Sequence, residues 1–232
     1  MCFTSACAFF CLPMFARELE PKSLLRHCFY QAWERGELSK RDLQEYACQY
    51  FNHVNETPRY LSTLHSKCLD METRQVLLDN LIDEEKGEEN HPKLWLDFCS
   101  FIGLESKKVR NAKLLETTKN LSSTFFRLSN SSVAEGIGAL YAYERQIPEI
   151  ARVKIASLKK FHSVNDERAL KFFSVHEEAD KWHSQECEDL IKEMDEHEKE
   201  SARKGALELA SALWRFLDGM EEIRLKGGHL NV

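Results

Sequence analysis

The sequence has few of the residues that build tight turns, with only nine glycines and five prolines among 232 residues. An all-β sandwich or barrel needs many such turns, so this scarcity argues against both. No apolar run approaches the roughly 18 residues that a transmembrane helix needs, so we expect no membrane span. Acidic residues outnumber basic ones and give a formal net charge of −6, which does not favour a nucleic-acid binder.

The eight cysteines include no CxxC pair, and the N-terminal segment lacks the basic stretch of a secretory signal. Scattered cysteines in a chain of this length are more typical of reduced core thiols than of a disulfide framework. We therefore predict a cytoplasmic protein. Met1 to Ala16 carries no charge, and we interpret it as an extension, with export into a host cell or binding to a partner left open.

Apolar residues recur at the three-and-four spacing of amphipathic helices along almost the whole chain, and no segment alternates with period two. This pattern predicts an all-α fold, with about seven helices in one compact domain. We place an N-terminal extension at residues 1–20, the helical domain at 21–225 and a tail at 226–232.

Several residues predict where helices begin, bend or end. Ser39 followed by Asp42 is typical of a capping box. Pro58 is expected to kink or divide its helix, and Pro148 is expected to kink another. The polar stretch 105–113 is expected to be a loop.

One predicted helix carries three metal-ligand side chains at positions i, i+4 and i+7, namely His176, Asp180 and His183. This spacing projects them from one face. Imidazole and carboxylate suit iron, manganese and zinc, so the face predicts a metal site. A solvated polar face that happens to contain two histidines fits the same pattern.

Three residues elsewhere extend this hypothesis. Glu84 and His91 lie seven residues apart across a short connection, from which both can reach a common ion. Glu144 lies among apolar neighbours, where a buried carboxylate needs a cation or an arginine partner. A salt bridge to Arg145 or Arg152 is the alternative.

Together the two groups supply three histidines and three carboxylates, a set suited to two divalent ions with positions open for O₂. Dimetal carboxylate proteins of the helix-bundle type use the same chemistry, although their motif has a different spacing.

The strings at residues 27–33, 78–85, 139–148 and 176–180 closely resemble the haem-oxygenase-like dimetal oxidases. This group includes the chlamydial proteins associating with death domains (CADD) and is related to pyrroloquinoline-quinone synthase (PqqC) and TenA-like proteins. The resemblance covers roughly residues 23–216. It implies a seven-helix haem-oxygenase-like fold, two divalent metal ions (Fe and/or Mn) and O₂ as co-substrate.

The resemblance also implies an activity, which is synthesis of 4-aminobenzoate for folate biosynthesis from one of the protein's own tyrosines in a single turnover. By motif matching, Tyr30 is the ring source and Lys154 the nitrogen donor, while Tyr46 and Tyr143 relay electrons or radicals. The implied metal ligands are Glu84, His91, Glu144, His176, Asp180 and His183. Read from the residues alone, Tyr30 is a core tyrosine and Lys154 a solvated lysine.

Two alternatives stay open. One is a PqqC-like oxidase of a separate small molecule, which works without a metal and so has no need of six ligands. The other is an effector that binds host death-domain proteins and modulates apoptosis. The apolar face of the last helix fits packing within the domain and packing in a homodimer equally well.

Overall fold

Helices account for all the regular structure in the described part of the chain, which confirms the predicted all-α class. The computed structural model describes residues 15–227, apart from the side chains at positions 178, 179 and 181. Most of the predicted extension and tail therefore lie outside the described residues. Within them the α-helices are α1 (Ala16–Leu19), α2 (Cys28–Glu34), α3 (Lys40–Lys67), α4 (Met71–Glu85), α5 (His91–Phe101), α6 (Ser106–Arg110), α7 (Glu116–Ser131), α8 (Val133–Glu144), α9 (Ile147–His162), α10 (Glu167–Glu193) and α11 (Glu196–Lys226).

The helices of residues 15–227 outnumber the predicted seven because several are short or separated by tight breaks. The expected loop at 105–113 contains α6, a helix of five residues. The prediction that Pro148 kinks a helix is wrong. The helix ends at Glu144 and a new one begins at Ile147, so Pro148 lies in a first turn, where its missing N–H leaves no hydrogen bond unmade.

The start of α3 follows the predicted capping box. The Ser39 hydroxyl accepts a hydrogen bond from the Asp42 amide at 3.2 Å, and the Asp42 carboxylate accepts one from the Ser39 amide at 2.8 Å. Pro58 lies inside α3 without dividing it. This helix packs against α4, α5 and α7, so it forms one wall of the interior.

Two glycines allow α8 and α11 to approach closely. A Cβ on Gly138 would lie 1.9 Å from the carbonyl oxygen of Ala202, and one on Gly205 would lie 2.2 Å from that of Glu135. Neither distance is compatible with a side chain, because both clashes are with backbone. The contact fixes α8, the helix that carries Tyr143 and Glu144.

All five cysteines in the described residues are free, and four of them are buried. Among the helices of residues 15–227 we find none with both the length and the apolar composition that crossing a bilayer demands.

Candidate metal centre and active site

Three of the predicted ligands converge where α4, α5 and α10 meet. Oε2 of Glu84 lies 2.8 Å from Nδ1 of His91, and the rings of His91 and His176 lie 4.2 Å apart between centroids. One ligand atom from each residue lies within 4.8 Å of the others, and all three side chains are buried. Nδ1 of His176 is 2.6 Å from the carbonyl oxygen of Phe172. Since a carbonyl only accepts, Nδ1 carries the proton and leaves Nε2 as the ligand atom.

Electrostatics hold this group together. Burial would raise the pKa of Glu84, but His91 beside it, with His176 and His183 nearby, lowers that pKa overall. Burial would conversely lower the pKa of His91, and the Glu84 carboxylate raises it. Each partner therefore favours the charged form of the other.

The other two residues of the predicted helix face, Asp180 and His183, lie about one and two turns further along α10. Nδ1 of His183 is 3.6 Å from a carboxylate oxygen of Asp180, and its Nε2 donates to Asp83 of α4 at 3.2 Å. Burial would lower the pKa of His183, but Asp180, Glu144 and Asp83 raise it to about 9. With Nε2 donating to Asp83, Nδ1 is the nitrogen directed toward Asp180.

Glu144 ends α8 and is held by two donors from neighbouring helices. The side-chain amide of Asn80 on α4 donates to Oε1 at 2.6 Å, and the thiol of Cys187 on α10 donates to Oε2 at 3.5 Å. Burial raises the pKa of Glu144 to about 8. Of the two arginines that could have neutralised it, Arg152 pairs with Glu149 and Arg145 lies over the ring of Tyr141.

The residues present fit a metal centre. All six predicted ligands are buried, and they converge from α4, α5, α8 and α10. Among the described side chains, one buried carboxylate oxygen of Asp180 has no hydrogen-bond partner. Leaving such an oxygen unpaired costs free energy, which a bound cation would offset. The donors are imidazoles and carboxylates, which suit iron and manganese.

A second cluster joins α2, α3 and α9 around a buried lysine. The amine of Lys154 donates to the hydroxyl of Tyr30 at 3.0 Å and to that of Tyr46 at 2.7 Å. The two hydroxyls are 2.7 Å from each other. Burial holds the pKa of Lys154 well below its ordinary value, so the interpretation of this residue as a solvated lysine is wrong. A neutral amine has a lone pair and is a nucleophile.

Two further tyrosines connect this cluster to the ligands. The rings of Tyr46 and Tyr50 stack with centroids 5.3 Å apart and planes 14° from parallel. The hydroxyls of Tyr50 and Tyr143 lie 2.9 Å apart, and Tyr143 directly precedes Glu144 on α8. Burial raises the pKa of Tyr143, as do Tyr50 and the carboxylates of Glu84 and Asp180. The four tyrosines thus form a continuous series of contacts from Lys154 to Tyr143, which is the residue before the predicted ligand Glu144.

Sequence reasoning missed Tyr50, Asn80 and Asp83 as site residues. Helical spacing was the available signal, because Tyr50 lies four residues after Tyr46 and Asn80 four residues before Glu84. Both therefore share a face with a residue already singled out.

A family model described as iron-containing redox enzyme matches residues 44–216. A 4-aminobenzoate synthase of Nitrosomonas europaea is 41% identical to the chain over 216 residues, covering 88% of each sequence. A 4-aminobenzoate synthase of Chlamydia trachomatis is 39% identical over 201 residues, covering 86% of this chain and 87% of that protein.

Among solved structures, a domain of unknown function with a heme oxygenase-like fold from Shewanella denitrificans superposes with a TM-score of 0.78 at 16% identity. The match covers 92% of this chain and 91% of that one. The predicted haem-oxygenase-like fold is thereby confirmed.

Proposed function

The chain belongs to the family of iron-containing redox enzymes, and from this premise we propose that it makes 4-aminobenzoate by oxidising its own Tyr30 with O₂ in a single turnover. The observation that supports this proposal most directly is the 3.0 Å contact between the buried Lys154 amine and the Tyr30 hydroxyl. It brings a nitrogen nucleophile beside the ring oxygen that an amino group would replace. The two relatives at 39–41% identity are named for the same product.

The bond changes can be written for these two residues. The ring and Cβ of a tyrosine have the carbon skeleton of 4-aminobenzoate, so the Cα–Cβ bond of Tyr30 breaks and Cβ is oxidised to the carboxylate. The ring C–O bond is replaced by a C–N bond to the nitrogen of Lys154, whose own Cε–Nζ bond breaks. One O₂ supplies both oxygens of the carboxylate, while Cα takes a hydrogen lost from Cβ and remains as the Cα of a glycine. The ring oxygen leaves as water, and Cε is oxidised to an aldehyde whose oxygen comes from water. The two electrons and two protons released at Cε reduce a second O₂ to H₂O₂.

The six buried ligand side chains would hold two divalent ions, Fe and/or Mn, whose chemistry when bound is the activation of O₂. The protein's own part is to hold Tyr30 away from solvent and to connect it to that centre. Tyr46 and Tyr143 carry electrons out of Tyr30, and Tyr50 fills the space between them through its stacked ring and its hydroxyl hydrogen bond.

The test is a single turnover followed by mass analysis. Protein loaded with Fe and Mn is mixed with reductant and air, and the released 4-aminobenzoate is measured beside intact-mass and peptide spectra. We expect the peptides that contain Tyr30 and Lys154 to lose mass. Protein labelled with ¹⁵N at lysine should transfer the label to the product.

Tyr141→Phe is the matched control for Tyr30→Phe. Tyr141 is also buried, but its hydroxyl lies near Glu188, outside the tyrosine–lysine cluster. We expect Tyr30→Phe to release no 4-aminobenzoate and Tyr141→Phe to release it as the wild type does. Release of the product by Tyr30→Phe would contradict the proposal.

Binding to host death-domain proteins and pairing with a second copy remain separate predictions from the resemblance. A pull-down with death-domain fragments, comparing wild type with His176→Ala, tests the first and shows whether it needs the metal ligands.

A further inference from the structure

The six predicted ligand side chains differ in how close their ligand atoms already lie to one another. Within residues 15–227 the group whose ligand atoms lie within 4.8 Å of one another is Glu84, His91 and His176. The other three are Glu144, Asp180 and His183. Asp180 and His183 are 3.6 Å apart, but Glu144 is engaged elsewhere.

Both oxygens of Glu144 are held by groups that are not ligands. Asn80 donates to Oε1 at 2.6 Å and Cys187 donates to Oε2 at 3.5 Å. Each oxygen of a carboxylate can accept more than one bond, so these donors fix the direction of the carboxylate and leave it able to bind a cation. Asn80 is 3% exposed and Cys187 2%, so water does not replace either donor when it is removed.

We infer that the chain binds its two metal ions in unequal steps, and that Asn80 and Cys187 are positioning residues for the second step alone. This inference rests on the proposed two-metal function and deepens it. The first ion meets Glu84, His91 and His176, which are already assembled. The second needs Glu144 in a fixed direction beside Asp180 and His183, and Asn80 supplies the stronger of the two restraints because an amide is a better donor than a thiol.

The experiment is a titration of metal-depleted full-length protein with Mn²⁺ alone. Calorimetry gives the number and affinity of the steps, and electron paramagnetic resonance distinguishes free, single and paired Mn²⁺. We expect two resolved steps in the wild type. In Asn80→Leu, which keeps the branched shape of the side chain and removes the donor, we expect the first step unchanged and the second weakened by about 10- to 100-fold, the usual effect of removing a hydrogen bond to a ligand.

Two comparisons separate positioning from a loss of structure. Asn52→Leu is the matched control, because Asn52 makes a similar side-chain hydrogen bond at 2.6 Å, to Ser122 on α7. It should leave both steps unchanged. Cys187→Ser keeps a donor and should behave as the wild type, whereas Cys187→Ala should weaken the second step. This pair tests the inference independently if Asn80→Leu does not fold.

The outcomes also separate this inference from the proposed function. Two steps of indistinguishable affinity in the wild type would overturn the inference alone, as would an Asn80→Leu protein in which both steps weaken equally or neither changes. A wild type that binds no Mn²⁺, and likewise no Fe²⁺, would overturn the two-metal function as well.

Discussion

Lys154 is the residue whose surroundings depart most from its usual preference. Lysine is seldom fully buried unless it is paired with an acid, yet Lys154 is 5% exposed and its hydrogen-bond partners are two phenol hydroxyls. Burial disfavours the ammonium form. The same burial that favours the neutral amine of the proposed chemistry costs stability below the ordinary pKa of lysine, because the unfolded chain binds this proton more tightly than the folded chain does.

Replacing Lys154 by methionine should stabilise the metal-free protein while abolishing product release. The folded pKa of Lys154 lies well below the ordinary value of 10.5, so between the two values the unfolded wild type binds more protons. Stability of the wild type therefore rises with pH in that window, by up to about 1.4 kcal/mol per pH unit. The advantage of Lys154→Met should therefore be greater near pH 7 than near pH 10, as measured by urea denaturation.

Lys159→Met on the same helix is the control, since Lys159 is exposed. Its free energy of unfolding should follow that of the wild type at every pH. A Lys154→Met advantage that does not change with pH would mean that Lys154 is charged in the folded protein, which contradicts its proposed role as a nucleophile.

Removing the hydroxyl of Tyr50 tests whether electrons pass between Tyr46 and Tyr143 along the proposed path. Tyr50→Phe keeps the ring that stacks on Tyr46 and removes the hydroxyl 2.9 Å from Tyr143. We expect Mn²⁺ binding to be unchanged and the rate of 4-aminobenzoate release to fall by about tenfold, as loss of one hydrogen bond of ~1.4 kcal/mol implies. An unchanged rate in rapid-mixing single-turnover assays would show that electrons do not pass through this hydroxyl pair.

At the scale of helices, sequence patterns predict a feature correctly where the contacts that form it join residues close in sequence. His176, Asp180 and His183 share one helix, so spacing alone placed them on one face. The capping box of Ser39 and Asp42 is likewise a contact across three residues. Pro148 was misinterpreted because a proline fits both a kinked helix and the first turn of a new one. Packing of α8 against its neighbours, which the local pattern does not contain, decides between them.

The site was less predictable wherever partners come from distant helices. The resemblance, and not the spacing, singled out Tyr30 and Lys154, because their contact joins positions 124 residues apart. The donors to Glu144 depend on how α4 and α10 pack against α8. Burial of Lys154 follows from that same long-range packing, which explains why the sequence indicated a solvated side chain.

Close packing of α8 against α11 predicts a large difference between two neighbouring glycines. Alanine at Gly138 would meet backbone of Ala202, whereas alanine at Gly136 would meet the flexible side chain of Leu64. We expect Gly138→Ala to destabilise the protein by at least about 1–3 kcal/mol, the usual cost of overpacking, and Gly136→Ala to cost less. Urea denaturation measures both, and equal losses would contradict the close approach of the two helices.

At the scale of the whole molecule, the ligand set connects four helices that are distant in sequence. It gathers three carboxylates, those of Glu84, Glu144 and Asp180, in a buried region. Glu84 lies beside His91 and Asp180 beside His183, whereas burial raises the pKa of Glu144 to about 8 and favours its protonated form. A divalent ion would favour the ionised form of Glu144 and tie α4, α5, α8 and α10 together, so metal binding and folding should be thermodynamically linked.

Metal should therefore raise the melting temperature of the full-length protein, and a chelator should reverse the change. An ion at a thousandfold excess over its Kd stabilises the folded state by about 4 kcal/mol, and each kcal/mol corresponds to about 2–4 °C for a chain of this size. Differential scanning calorimetry with and without Mn²⁺ measures the shift. Glu84→Gln removes a charged ligand at the assembled group, so its melting temperature should respond weakly to Mn²⁺. In chelator its melting temperature should lie below that of the wild type, because Glu84 and His91 favour each other's charged forms. A Glu84→Gln protein as responsive to Mn²⁺ as the wild type would show that the ion binds outside this group of ligands.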